Sequence, residues 1–346
     1  MADVEGRWSA SGIPPSARGL HPGCVFQLPV RRGILRADLH VHSCHSGLNG
    51  NLPFLRSLDC YSEPDAVYRR ARARGMDLVT ITDHDSIDGC LELLSRYPGA
   101  DDIFVGEEVS CWWPGSALEI HVAAYGHDEN DHRELQRLRT NVHDVLAYLR
   151  SRRLLGIVNH PFHFYKGQVP IDRYVELLAD AGGVEVRNGT LLAVQNGLVA
   201  NLMEIMRMRG VTRATVGGSD THTLRRVGLT WTSAPGRTRD EFLASLRAGN
   251  GQAGGRHGSS ASLAADVYGV VADYWKSLAG LTRHEYSLPR RALGVGFSAV
   301  SLPFQFTPAL VAAVQKSSEA ARCREYARVL RDQRAPALIQ SRGQGA

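Results

Sequence analysis

The chain is 346 residues long, 43% hydrophobic and 22% charged, which suits one large barrel domain or two smaller globular domains. Its formal charge of +5 rests on arginine, with lysine only at Lys166, Lys276 and Lys316. No long run of like charges occurs, so the basic balance does not mark a nucleic-acid surface, and no run of about 18 apolar residues occurs, which excludes an ordinary membrane span.

The sequence begins MADVEGRWSASGIPPSARG, with early acids and no apolar core, unlike a secretory signal. Residues 1–30 are rich in Ser, Gly and Pro and read as a flexible arm. Cys24, Cys44, Cys60, Cys90, Cys111 and Cys323 have no regular spacing and read as reduced thiols of a cytoplasmic protein. From residue 31 onward, short apolar runs alternate with helical patterns. Strands are expected at 33–41, 76–82, 102–109, 118–126, 154–160, 183–189 and 213–219. Helices are expected over 63–75, 131–153, 171–182 and 194–210, two of them ending at Gly75 and Gly210. A further helix over 238–249 has Thr238 as its N-cap, with Glu241 three residues on. This alternation implies parallel strands with helical crossovers. Seven strands suit an α/β barrel over 31–250, with its chemistry at the carboxyl ends of the strands.

Polar residues fall where that barrel would use them. His40 and His42 end the first strand, at a spacing that points both the same way. Asp83, His84 and Asp85 end the second, Glu107 and Glu108 the third, and His160 the fifth; His121 sits within the fourth. Asp220 and His222 follow the seventh. Each has an ordinary reading alone: TDHD as a helix cap through Asp85 or Ser86, NHP as a turn set by Pro161, His121 as a core histidine. Six of seven strands delivering such groups to one rim argue instead for a shared site. Imidazole with carboxylate suits Zn, Mn or Fe, and so many donors suggest two or three divalent ions.

The motifs DLHVH, TDHDSIDG, GEE, EIHVAAYG, NHP and GSDTH, in this order over about 34–250, resemble those of the PHP (polymerase and histidinol phosphatase) phosphoesterases. The resemblance implies a distorted (β/α)7 TIM-like barrel around a multinuclear metal centre. It implies His40, His42, Asp220 and a bridging glutamate for one ion, the GxE spacing selecting Glu108 over Glu107. Glu108, His121 and His160 fall to a second ion, and His84 and His222 to a third. Asp38 and Asp83 would position the imidazoles. Many members carry Ser-Asp-Gly after HxH, its aspartate serving the third ion. Here Gly47 stands at that place and an insertion follows, leaving Asp59 or His45 as substitutes, or a binuclear site.

The implied function is a metal-dependent phosphoesterase acting on a small phosphorylated metabolite or nucleotide. Two ions would lower a bridging water's pKa from about 15.7 toward about 7, giving hydroxide at neutral pH. Catalytic candidates are Glu108, Asp220, Arg225 as a phosphate anchor and His163 as an acid, with Arg187, Arg226 and Lys166 as further cations. Alternatives are an exonuclease on RNA or DNA, without an obvious binding motif, and a metal-stabilised scaffold without turnover. Residues 251–346 lie beyond the resemblance. They read as a Gly/Ser-rich linker (249–262) and a helical C-terminal extension with helices over 261–278 and 307–333, able to cap the barrel or form an oligomer surface. FSAVSLPFQF (297–306) is expected to pack between helices, and the final ten residues to be disordered.

Overall fold

The computed structural model describes residues 33–50, 53–163, 169–304 and 306–331. The expected arm at 1–30, Cys24, Lys166 and the last ten residues lie outside that range. Nine strands and ten α-helices, with two short 3-10 turns, are found among the described residues. In chain order they are β1 (Ile34–Asp38), α1 (Pro64–Ala73), β2 (Leu78–Val79), α2 (Asp88–Arg96), β3 (Gly106–Trp112), β4 (Glu119–Tyr125), α3 (Glu129–Leu138) and α4 (Val142–Ser151). Then follow β5 (Leu155–Val158), α5 (Ile171–Asp180), β6 (Gly183–Asn188), α6 (Ala193–Met208), β7 (Ala214–Gly218), β8 (Thr230–Pro235) and α7 (Arg239–Arg247). The last are β9 (Gln252–Gly255), α8 (Ser260–Leu278), α9 (Leu288–Ser301) and α10 (Thr307–Arg331).

The fold is mixed α/β, with two sheets ordered β2-β1-β8-β9 and β3-β4-β5-β6-β7. The all-parallel expectation is corrected. β3–β4, β4–β5, β1–β8 and β8–β9 pair antiparallel, and only β1–β2, β5–β6 and β6–β7 are parallel. Between β3 and β4 lies a short turn at Pro114–Gly115, too short for the helix that a parallel crossover needs. Single bridges join the sheets: Val79 to Ile103, His84 to Glu108, and Val41 to Thr221.

Other expected elements shift for local reasons. The helix over 131–153 is two helices, because the Asn141 side chain accepts the His143 amide at 3.0 Å and caps a new start. Thr238 caps α7 as expected, accepting the Glu241 amide at 3.2 Å. Gln252–Gly255, expected in a flexible linker, is strand β9 laid against β8. FSAVSLPFQF is not packed between helices: Phe304 and Phe306 are exposed, whereas Phe297 meets Phe54 edge-on at 5.4 Å. No single helix among the described residues is long and apolar enough to cross a membrane. The five described cysteines form no disulfide.

Apolar faces fix the strands. Leu35, Ala37 and Leu39 pack against Phe104, Tyr125, Ile157 and Val216, while Val67, Leu93 and Ile81 seal α1 and α2 onto β2. Burying each such side chain is worth about 1.5–3 kcal/mol. Gly218, at the end of β7, has another task. A Cβ there would overlap the Cβ of His40 and lie 2.6 Å from its amide nitrogen, so only glycine admits β1 so close. Gly218→Ala is expected to cost about 1–3 kcal/mol in a denaturant melt through overpacking. It should also displace His40, read as lost metal uptake.

Candidate metal centre

The ends of the strands bring the predicted residues together. Asp220 donates its amide to the His40 carbonyl at 2.7 Å, and the His42 amide reaches the Thr221 carbonyl at 3.2 Å, zipping β1 beside β7. Likewise the Glu108 amide meets the Asp83 carbonyl at 3.0 Å, and the Asp85 amide the Glu108 carbonyl at 2.9 Å, joining the second and third strand ends. Antiparallel pairing explains the position of His121. β4 runs against β5, so the start of β4 shares the rim with the end of β5, and the Asn159 amide donates to the His121 carbonyl at 2.9 Å. At turns on the rim, Asp85, His160 and Asp220 have φ of 51°, 28° and 49°, a left-handed geometry rare for residues with side chains.

Glu108 is the hub. Its carboxylate is buried and lies 3.1 Å from His40 Nε2, 3.5 Å from His42 Nε2 and 3.3 Å from His84 Nδ1. On its other oxygen it meets His121 Nδ1 at 3.2 Å and His160 Nε2 at 3.1 Å. Asp220 Oδ1 lies 3.5 Å from His40 Nε2 and 3.4 Å from His42 Nε2. His222 stacks on His42 with ring centroids 4.2 Å apart. Strand alternation turns Glu107 to the opposite face, where His127 and His132 meet it at 3.0 and 2.8 Å.

Positioning groups set the tautomers. His40 Nδ1 gives its proton to Glu185 Oε1 at 3.0 Å, which leaves Nε2 facing Glu108 and Asp220. His42 Nδ1 meets Ser46 Oγ at 2.8 Å, and that hydroxyl donates to Asp83 at 3.0 Å, so Asp83 acts through Ser46 as a positioning residue. Asp38 instead accepts the Ser219 and Gly228 amides at 2.8 and 2.7 Å and steadies the backbone. Burial pushes its pKa up to about 6. Glu185 was not singled out in the sequence. It is the acidic residue of β6, the one strand that seemed to bring nothing to the rim, and an acid inside the apolar run GVEVRNG was the available signal.

The cluster is electrostatically organised. Burial would raise the Glu108 pKa, but His40, His121 and His84 hold it well below the usual carboxylate range. Burial would strip the proton from His40, yet Glu108, Asp220 and Glu185 hold its pKa well above the ordinary value. Burial, aided by His222, pushes His42 down to about 3. His42 Nε2 and His84 Nδ1 are buried nitrogens without a hydrogen bond. Four overlapping donor sets lie within 4.8 Å: His40, His42 and Asp220; His40, Glu108 and His160; His84, Glu108 and His121; His42, His84 and His222. Bare ring nitrogens beside carboxylates are what a divalent ion of the Zn, Mn or Fe type takes, and these residues fit one.

Three candidates lie elsewhere. Arg225 is exposed and faces α8, beside Gly269 and Lys276, because its chain has already turned away from the rim. Arg226 is buried, donating to the Gly189 carbonyl and lying 3.6 Å from Asp266. Arg187 donates to the Gly255 carbonyl at 2.8 Å. His163 borders the cluster, its ring 5.7 Å from that of His160, and its Nδ1 lies 3.4 Å from Glu319 Oε1 on α10. His45 turns away to Glu92 at 3.1 Å, whereas Asp59 joins the cluster, 2.8 Å from His222 Nε2 and 3.8 Å from His84 Nε2.

A family model described as PHP_C, PHP-associated, matches residues 202–250, the stretch that carries Asp220 and His222. Those two residues meet His40, His42 and His84 in the donor sets of one site. Over that stretch the chain is similar to PHP-associated sequences. It is also 34% identical over 77 residues to the uncharacterized protein MJ1587 of Methanocaldococcus jannaschii. That match covers 22% of this chain and 44% of the relative, so the chain spans less than half the length of that curated protein. Among solved structures, PsfC from Pseudomonas syringae is 20% identical, over 70% of this chain and 98% of that one, at a TM-score of 0.48. A two-domain protein from Bacteroides vulgatus containing a predicted PHP-like metal-dependent phosphoesterase is 17% identical, over 75% of this chain and 74% of that one, at a TM-score of 0.46.

Proposed function

We propose that this protein is a metal-dependent phosphoesterase that hydrolyses a small phosphorylated metabolite or nucleotide. The observation that carries the reading is Glu108, a buried carboxylate ringed by five imidazoles at 3.1–3.5 Å. The bridges Val79–Ile103, His84–Glu108 and Val41–Thr221, which link β1 to β7 in chain order with β8 and β9 set beside β1, support reading the two sheets as a distorted (β/α)7 barrel.

His40, His42, Glu108 and Asp220 would hold one ion, and Glu108, His121 and His160 a second. Bound there, divalent ions supply Lewis acidity toward phosphoryl oxygens and lower the pKa of water toward about 7. The protein supplies the frame. Glu185 and the Asp83–Ser46 pair keep the His40 and His42 rings oriented, and the Asn188 amide holds Asp220 Oδ2 at 3.0 Å. His40, His42 and Glu108 are sealed from water, while Asp220, His84 and His222 are 14%, 25% and 26% exposed, so substrate approaches over those three. His163, at the border, would be the acid for a leaving oxygen, against burial that lowers its pKa.

The test is hydrolysis of p-nitrophenyl phosphate, its bis ester and a panel of phosphorylated metabolites by protein loaded with Zn, Mn or Fe. Turnover that disappears with chelator and in His40→Ala is expected. Protein that takes up less than one ion per chain under any loading would sink the proposal.

A further inference from the structure

We propose that the C-terminal extension is built into the metal centre: through Tyr286 it holds the 53–61 stretch in place, so that Asp59 stands as a carboxylate donor beside His84 and His222. The inference rests on the reading of the cluster as a divalent-ion centre.

The argument starts at Gly47, where the resembled pattern would place an aspartate. Gly47 has φ of 81°, and its carbonyl accepts the Asp59 amide at 3.1 Å. Next to it, the Asn49 amide reaches the Ser57 carbonyl at 2.8 Å, and Leu48 bridges Leu58 antiparallel. The chain therefore leaves at Gly47 and folds back on itself. It returns a carboxylate beside the position that lacks one, with Asp59 Oδ2 2.8 Å from His222 Nε2.

A carboxylate carried on such an excursion serves an ion only if the excursion is fixed, because ordering each residue costs about 1–2 kcal/mol. The extension supplies that fixing. The Leu58 amide donates to the Tyr61 hydroxyl at 3.0 Å, the Tyr61 and Tyr286 hydroxyls meet at 2.7 Å, and Tyr286 donates to the Arg56 carbonyl at 3.3 Å. Since Tyr286 spends its proton on Arg56, Tyr61 donates to Tyr286, and the relay closes on the backbone either side of Ser57 and Leu58. Tyr61 and Leu58 also pack with Tyr274, Leu278 and Tyr286 in a small apolar cluster, and Phe54 meets Phe297. Arg283 also ties the extension to Glu92 on α2 at 2.6 Å. Tyr286 touches no reacting group, so it is a positioning residue.

The test is metal titration of the full-length protein with Mn or Zn, counting ions per chain by mass spectrometry at set free-ion concentrations. Tyr286→Phe should weaken the least tightly held ion about tenfold or more, the range seen when a ligand's outer partner is removed, and Asp59→Asn at least as much, with the other ions retained. Amide exchange over 53–60 should quicken in Tyr286→Phe. Ser298→Ala, which removes only the 3.1 Å bond from Trp275 within the extension, should change neither readout. A wild type whose ions are untouched by Asp59→Asn and Tyr286→Phe overturns the inference and leaves the metal centre standing. Loss in Asp59→Asn with none in Tyr286→Phe overturns the role of the extension. A wild type that takes no ion overturns both this inference and the proposed function.

Discussion

Glu108→Gln is expected to release the ions and to lower kcat/KM on any phosphoester substrate by about 1,000-fold or more. The substitution keeps shape and hydrogen bonding but removes the one charge that all five surrounding imidazoles face. Transition-state stabilisation by metal ions is worth several kcal/mol, and each 1.36 kcal/mol is tenfold in rate. Stability should fall as well in the metal-free protein. There Glu108 balances His40 and His121, both held protonated by it, and removing one partner of a buried pair costs about 3–5 kcal/mol. Glu107→Gln is the adjacent control. Its partners are His127, His132 and Gln136 on the outer face, so metal content should stay at the wild-type level. Equal metal loss in both variants would mean that Glu108 is not the hub.

The site was more legible in the sequence than the sheet that carries it. Ligand types at strand ends are local facts: HVH, TDHD, NHP and SDTH each announce a polar residue where an apolar run stops. Strand direction is not local. It was decided by the four-residue turn after Trp113 and by β8 and β9, whose residues include TWTSAP and QAGG, too short or too glycine-rich to display a period. His121 looked like an interior residue of its strand for the same reason, since only the reversal of β4 puts it at the rim.

Groups that act through others were the harder part. Glu185 gives no motif, and its meaning comes from a contact with His40, 145 residues away in sequence. Asp59 was visible as a candidate but could not be preferred over His45 until the fold-back at Gly47 was seen. Arg225 lies beside α8 although it follows Asp220 and His222 closely, because proximity in sequence says nothing about where a side chain goes once the chain turns. Its guanidinium faces α8, which belongs to a part of the chain that the motifs do not reach.

Metal affinity should rise steeply with pH, and metal-free stability should move the other way. In the metal-free protein burial works against protonation of His121 and His222, but Glu108 and Glu119 hold His121 up at about 10 and Asp59 holds His222 at about 9. Both pKa values lie above the unfolded histidine value of about 6.5. The stabilisation is therefore complete below about pH 6.5 and is lost as pH climbs through 9 and 10, at about 1.4 kcal/mol per pH unit for each proton released. His42, held near 3, is already neutral and adds nothing in this window. An incoming ion needs bare nitrogens, so binding at pH 7 must expel the proton that Glu108, Asp220 and Glu185 hold on His40 as well as those of His121 and His222. Three protons mean up to about 1,000-fold tighter binding per pH unit between about 6.5 and 9. Calorimetry in buffers of different ionisation enthalpy counts those protons directly, and the melting temperature of chelated protein, followed over the same range, should fall. A dissociation constant that stays flat with pH would mean that the imidazoles stand neutral in the metal-free protein, and that the carboxylates around them do not form the charged network described here.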